Sequence, residues 1–314
     1  MARALLQNYT GPLYQLIRGD NVVMDISVVS TGGLANAASQ DAFCAGQTCL
    51  VQTMYDQSFT GNHLTYGGGD EGTTALFQAL INDIGVNAAK LPVTLAGSKV
   101  YGAYFEGPTY NGNTYIGQAG YRRLNTGTSA ANTTYGIATG TMPETTYMVT
   151  SGTHYNNGCC FDFGNAERIP YDFGDGTMQT IYFGSNTNWG FGADAGPWIM
   201  VDMENGLFAG NVTYNPNNVP QTSKYVTALI KGDISGFAIK SGDSTHGTLA
   251  TLYDGPRPTG YQTMHLQGGI VLGIGGDNSP WGIGSFFEGC ILSGYTTDAV
   301  DAAIQANIVA AQYT

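Results

Sequence analysis

At 314 residues the chain is long enough to bury a full core, and since β-sandwiches run past 200 residues as one unit, a single domain over residues 1–314 is expected. Eleven basic against 23 acidic residues give a formal charge of -12 and a pI near 4.4, which repels nucleic acid and anionic membrane and points to neutral partners. Forty-six glycines, 20 tyrosines and only 11% charged residues exclude a helical bundle and favour short strands joined by tight turns, so the chain reads as mostly β.

In chain order, the opening MARALLQNYTG lacks the long apolar core of a signal peptide, and no later run approaches the roughly 20 apolar residues of a membrane span. VVMDISVV (22–29) and LVQTMYD (50–56) alternate as strands between Gly, Asn and Ser clusters. Between them, Cys44 and Cys49 can close a small loop around the Gly46 turn. Gly67 to Gly72 spell GxGxxG, but Asp70 and Glu71 inside it would repel a pyrophosphate and no βαβ unit surrounds it, so a turn is expected. Residues 72–84 suggest a short helix with Leu76, Leu80 and Ile81 on one side, and the Tyr, Asn, Gly and Thr-rich stretch 107–137 reads as long surface loops. Asp172 and Asp175 in YDFGDGT lack the rest of a calcium-ligand pattern and read as a β-turn. Near the end, Val300, Ile304, Ile308 and Ala311 recur at helical spacing after Thr297-Asp298, a helix start signal.

Chemistry concentrates in three places. Cys159 and Cys160 are adjacent; joined, their alpha carbons would sit only about 3.8 Å apart across a trans peptide, closer than an ordinary disulfide prefers, and otherwise they are two reduced cysteines facing opposite sides of a strand. In PWIMVDMENGLF, alternation puts Trp198, Met200, Asp202 and Glu204 on one face and Ile199, Val201 and Met203 on the other. Two carboxylates pointing the same way from an apolar strand repel each other and lose hydration, an arrangement kept where it works. In GGIVLGIGGDNS, Ile270, Leu272 and Ile274 alternate with Val271, Gly273 and Gly275, and this second series ends at Asp277, where glycines leave room for a ligand against backbone. No GxSxG is present, and the four histidines show no metal-ligand spacing. Cys290 in an apolar stretch reads as a buried free thiol, and sequons at Asn8, Asn132 and Asn211 are compatible with a secreted glycoprotein.

HYNNGCCFDFGNAE, SNTNWGFGADAGPWIMVDMENGLFAG and VLGIGGDNS, in this order and spacing, resemble the catalytic domain of family 54 α-L-arabinofuranosidases of the arabinofuranosidase B type. RALLQNYTGPLYQLIRG, SQDAFCAGQTCL and MYDQSFTGNHL agree, so the resemblance covers almost the whole chain. It implies an all-β fold: a jelly-roll sandwich of the concanavalin or laminin-G kind, closed by the short C-terminal helix. It also implies exo-acting release of terminal arabinofuranose, with retention, from arabinoxylan, arabinan or related oligosaccharides. By match to the family motifs, Glu204 is the nucleophile and Asp277 the acid/base. Trp189, Asp202, Asn205 and Gly276 contact the furanose, Cys159 and Cys160 form a disulfide packed against the sugar, and Cys44 pairs with Cys49. Trp281 stands where the family is usually smaller and polar, and is expected to stack on the aglycone side. No metal or organic cofactor, no nucleic acid and no membrane are expected as partners, and the protein is expected to be a secreted monomer. The family's secretion signal, a further cysteine pair and the C-terminal arabinose-binding β-trefoil have no counterpart in these 314 residues. The same site could instead serve a β-xylosidase or another furanosidase, and a sandwich of this kind could also be a catalytically silent carbohydrate-binding module.

Overall fold

A computed structural model describes residues 1–66, 81–110 and 115–314. Two open antiparallel sheets face each other. The larger runs in spatial order Leu207–Phe208, Trp198–Asp202, Gln179–Gly184, Asp162–Ala166, Gly269–Leu272, Tyr121–Arg123, Leu64–Tyr66, Cys49–Met54, Pro12–Arg18 and Val23–Ser27. The smaller runs Ala250–Gly255, Phe237–Asp243, Val226–Gly232, Glu144–Thr150 and Glu288–Ser293. This is the all-β sandwich the sequence led one to expect.

Register explains where the core lies and where the site lies. One row of paired residues across the large sheet reads Tyr121, Leu272, Phe163, Ile181, Val201, and every member is buried in the main core. The next row reads Arg122, Val271, Gly164, Thr180, Asp202, and by the period of two it lies on the opposite face. Trp198, Met200 and Tyr182 share that second face in a separate small cluster with Cys160. The core side is filled from the smaller sheet by Met148, Ala228, Ile230 and Ile239. A slip of one residue in any of these strands would exchange the two rows, and the hydrophobic core forbids it.

Several expectations are corrected. The stretch 107–137 is only partly surface loop: 124–137 is loop apart from a 3-10 turn at Ala130–Asn132, but Tyr121–Arg123 is an interior strand of the large sheet, and Thr109–Tyr110 and Tyr115–Ala119 are strands as well. Tyr121 can be fully buried because its hydroxyl donates to Val51 O at 2.7 Å and accepts from Val86 N at 2.9 Å. Of the helix expected over 72–84, residues 72–80 lie outside the described residues, as does the Gly67–Gly72 turn, while Ile81–Ile84 is a strand paired parallel to Tyr115–Ala119. A short helix not foreseen, Ala37–Phe43, is capped by Asn36, whose side chain accepts from Ser39 N, and the Cys44–Cys49 disulfide follows it. Cys290 is free but only partly buried.

The terminal helix forms as Asp298–Ala310, with Thr297 as its cap. Its inward face is the expected one at Ile308 and Ala311, which are buried, and at Ile304, which packs against the core. It departs at Val300, which is 42% exposed, and Asp301 and Gln305 turn inward as well. Asp301 meets Lys231 and Lys240, each at 2.7 Å, and Gln305 donates to Asp243 O, so ion pairs join the apolar stripe in fixing the face. Among the sequons, Asn8 is exposed and Asn211 partly so, but Asn132 is 4% exposed and has no room for a glycan.

Candidate active site

The outer face of the large sheet ends in a cavity of about 220 Å³. Its lining includes all nine site residues expected from the sequence: Cys159, Cys160, Trp189, Asp202, Glu204, Asn205, Gly276, Asp277 and Trp281. A larger cavity of about 700 Å³, beside Lys99, His154 and Lys224, is lined by no Asp or Glu.

Glu204 does not reach the cavity by strand alternation. The strand stops at Asp202, and Glu204 and Asn205 both adopt left-handed backbone, φ 64° and 55°, in a two-residue turn into Leu207–Phe208. Such turns suit the twist of a hairpin, and asparagine tolerates them well, whereas glutamate there costs on the order of 1–3 kcal/mol. Asp202 offsets part of that cost, since its Oδ1 accepts from Glu204 N at 3.0 Å. The alternation does hold before the turn: Ile199, Val201 and Met203 face the core, and Trp198 and Met200 face the site.

Asp277 also sits in a turn. The expected alternation breaks at Gly273, φ 79°, so Ile274 joins Val271 rather than Leu272. The Asp277 Oδ1 accepts from Ser279 N at 2.8 Å and Ser279 Oγ at 2.6 Å. The same loop is laced to the cysteine pair, with Cys160 N donating to Ser279 O and Trp281 N donating to Cys159 O. Cys159 and Cys160 are joined as a disulfide, and Cys160 Sγ lies 3.3 Å from Asp202 Oδ2. Cys159, Cys160 and Asp202 bring potential ligand atoms within 4.8 Å of one another, but disulfide sulfurs offer no thiolate, so this group is not a metal centre. Trp189 is 39% exposed beside the sulfurs, which leaves ring surface free for a sugar. Asn205 is exposed, its Nδ2 donating to Asp172 Oδ1 at 3.2 Å, while Asp172 itself closes the expected turn by accepting from Gly174 N.

Two acids and one base of this site were not singled out in the sequence. Asp162 and Glu167 are fully buried behind Asp202 and Glu204. Burial first, then the neighbouring carboxylates, pushes Asp162 well above the usual carboxyl range and Asp202 up to about 7. Burial likewise raises Glu167, and burial with the Glu167, Asp202 and Asp277 charges raises Glu204. Arg122 lies beneath, donating to Gly275 O at 3.0 Å and Gly276 O at 2.6 Å, the two carbonyls that precede Asp277. The signal for Asp162 was present, since it alternates with Phe161 and Phe163, but an acid on the far face of a strand reads as solvated.

Over residues 1–314 the sequence matches the family described as "Alpha-L-arabinofuranosidase B, catalytic". The chain belongs to that family. It is the catalytic domain of glycoside hydrolase family 54. A curated arabinofuranosidase B relative, from Aspergillus terreus and named a probable enzyme, is 48% identical over 99% of this chain and 58% of its own length. A Trichoderma koningii relative named "Arabinofuranosidase/B-xylosidase" is also 48% identical, over 99% of this chain and 59% of its own. A crystal structure of an arabinofuranosidase complexed with arabinofuranosyl-alpha-1,2-xylobiose superposes with a TM-score of 0.88 at 44% identity, covering 100% of this chain and 62% of that one. The chain thus spans about three fifths of the length of these family 54 relatives.

Proposed function

We propose that the chain is a retaining, exo-acting α-L-arabinofuranosidase that releases terminal arabinofuranose from arabinoxylan, arabinan or related oligosaccharides. The observation that carries this reading is the convergence of Glu204 and Asp277, from turns after two different strands, on one small cavity floored by the Cys159–Cys160 disulfide and Trp189. Glu204 attacks the anomeric carbon while protonated Asp277 donates to the leaving oxygen; Asp277 then takes a proton from the water that frees arabinose. Asp202 and Asn205 hold furanose hydroxyls, Gly276 lets the ring approach backbone, and Trp281 faces the aglycone. This two-carboxylate chemistry calls for no metal or organic cofactor.

Glu204→Ala should lower arabinose release from a nitrophenyl α-L-arabinofuranoside by about ten-thousandfold or more, and substantial residual turnover would overturn the nucleophile assignment. The double name of the Trichoderma koningii relative favours a second reading, β-xyloside cleavage at the same site. A panel of nitrophenyl glycosides separates the two: faster turnover of the β-xyloside would replace the first reading, and binding without turnover would make the sandwich a carbohydrate-binding module. Two disulfides and an exposed sequon at Asn8 support an oxidising, extracellular setting. Residues 1–314 are read as one catalytic unit acting as a monomer.

A further inference from the structure

Glu167 is 0% exposed and follows the strand Asp162–Ala166. Its Oε1 accepts from Thr177 Oγ1 at 2.6 Å. Its Oε2 lies directly under Gly276, whose added Cβ would collide with it, and among the described residues no N–H or O–H donates to that oxygen. What stands within hydrogen-bonding reach is the Glu204 carboxyl. Two carboxylates in contact in a dry pocket cannot both be ionised, so one proton sits between them. A second pair of buried carboxyls stands at the other end of that strand, where Asp162 faces Asp202.

The remaining charges around the pair are few. Asp202 and Asp277 add negative charge, Arg122 supplies the facing positive charge, and the Tyr261 phenol feels the Glu204 charge. Arg122 Nη1 is also 3.5 Å from the main-chain oxygen of Glu167. Attack on an anomeric carbon requires Glu204 as the carboxylate, which leaves the proton to Glu167.

We propose that Glu167 is a positioning residue for the nucleophile: a buried carboxylic acid that keeps its proton through the cycle and donates a hydrogen bond to Glu204. The proposal rests on the reading of Glu204 as nucleophile. In the free enzyme the bond fixes the attacking carboxylate against repulsion from Asp202. When the glycosyl ester forms, Glu204 loses its charge and the same O–H donates to the ester carbonyl; when water cleaves the ester, the carboxylate that leaves is received by a donor already in place. The proton stays on Glu167 throughout, so the overall proton balance remains that of Asp277 and water.

The test compares Glu167→Gln, which keeps a donor, with Glu167→Ala, which does not, by kcat/KM against pH on nitrophenyl α-L-arabinofuranoside. Glu167→Gln should stay within about tenfold of the parent at its optimum, with its acid limb moved to higher pH because an amide donates more weakly than a carboxylic acid. Glu167→Ala should lose about a hundredfold or more. Equal losses in both variants with an unmoved pH profile, or near-parent activity in Glu167→Ala, would overturn the proposal. Thr177→Val, which leaves Glu167 in place but removes its Oε1 partner, should move the acid limb the same way by less; an unchanged profile there counts against it even if the Glu167 variants do not fold. Infrared difference spectra of the folded parent against Glu167→Gln separate this proposal from the reading it rests on: a protonated-carboxyl band at neutral pH, lost in the variant, is expected even of an inactive parent, and its absence would sink the proposal while leaving the nucleophile assignment standing.

Discussion

Replacing Arg122 with Met removes the positive charge beneath the loop that carries Asp277 while keeping most of the side-chain volume. Arg122 is 1% exposed and donates to Gly275 O at 3.0 Å, Gly276 O at 2.6 Å and Glu167 O at 3.5 Å. A buried charged donor contributes about 1.5–3 kcal/mol per good bond. Two short bonds would sum to about 3–6 kcal/mol, and the third is too long to add much. Loss of the charge also takes the guanidinium away from Glu167 and the acid cluster around it, which makes the upper half of that range the better expectation. At roughly 2 °C per kcal/mol for a chain of this size, the melting temperature should fall by about 9–12 °C. Scanning calorimetry measures that fall, and kcat on nitrophenyl α-L-arabinofuranoside at 20 °C, well below the transition, measures the loop. Because Gly275 and Gly276 lead directly into Asp277, kcat should drop by about tenfold or more while the protein is still folded. Arg122→Lys, which keeps charge without the planar fork, should fall between the two. A melting temperature within 2 °C of the parent for Arg122→Met would refute the view that this guanidinium holds the loop.

Two other consequences are accessible to simple measurements. Glu144 is fully buried, and burial pushes its carboxyl up to about 7 against the bonds from Asn165 and Ala138 N that pull it down. A raised acid holds its proton in the native state after the unfolded chain has lost it, so its contribution to stability falls as pH rises from about 4.5 to about 7, by on the order of 3 kcal/mol. Glu144→Gln should therefore gain in melting temperature relative to the parent between pH 5 and pH 8, and parallel curves would rule the effect out. Trp281→Ala should raise KM for an arabinosylated xylo-oligosaccharide roughly 5- to 30-fold, the worth of about 1–2 kcal/mol of stacking; an unchanged KM on that substrate would remove Trp281 from the aglycone side.

The long motifs made the family legible and named nine residues that meet at one cavity, and the alternation in PWIMVDMENGLF separated core-facing from site-facing positions as far as Met203. It did not place Glu204, because two left-handed residues, and not the pleat, aim that side chain. Thr297 and Asp298 announced the terminal helix and its spacing placed Ile308 and Ala311 inward, but the inward turn of Asp301 depends on Lys231 and Lys240, which are 70 and 61 residues away from it in the chain.

What the sequence determined by itself was therefore local: strand period, cap, turn residues, and the types of side chain gathered in each motif. The tertiary structure alone decided which polar groups are dry. Tyr121 and Arg122 look like loop residues until strands from both sides bury them, Asn132 looks like a sequon until it is covered, and Asp162 and Glu167 look solvated until they stand behind Asp202 and Glu204. The reason is physical. Strand and turn preferences act over a few neighbouring residues, whereas desolvation and the charge on a facing carboxyl depend on groups that meet only when the sheets close.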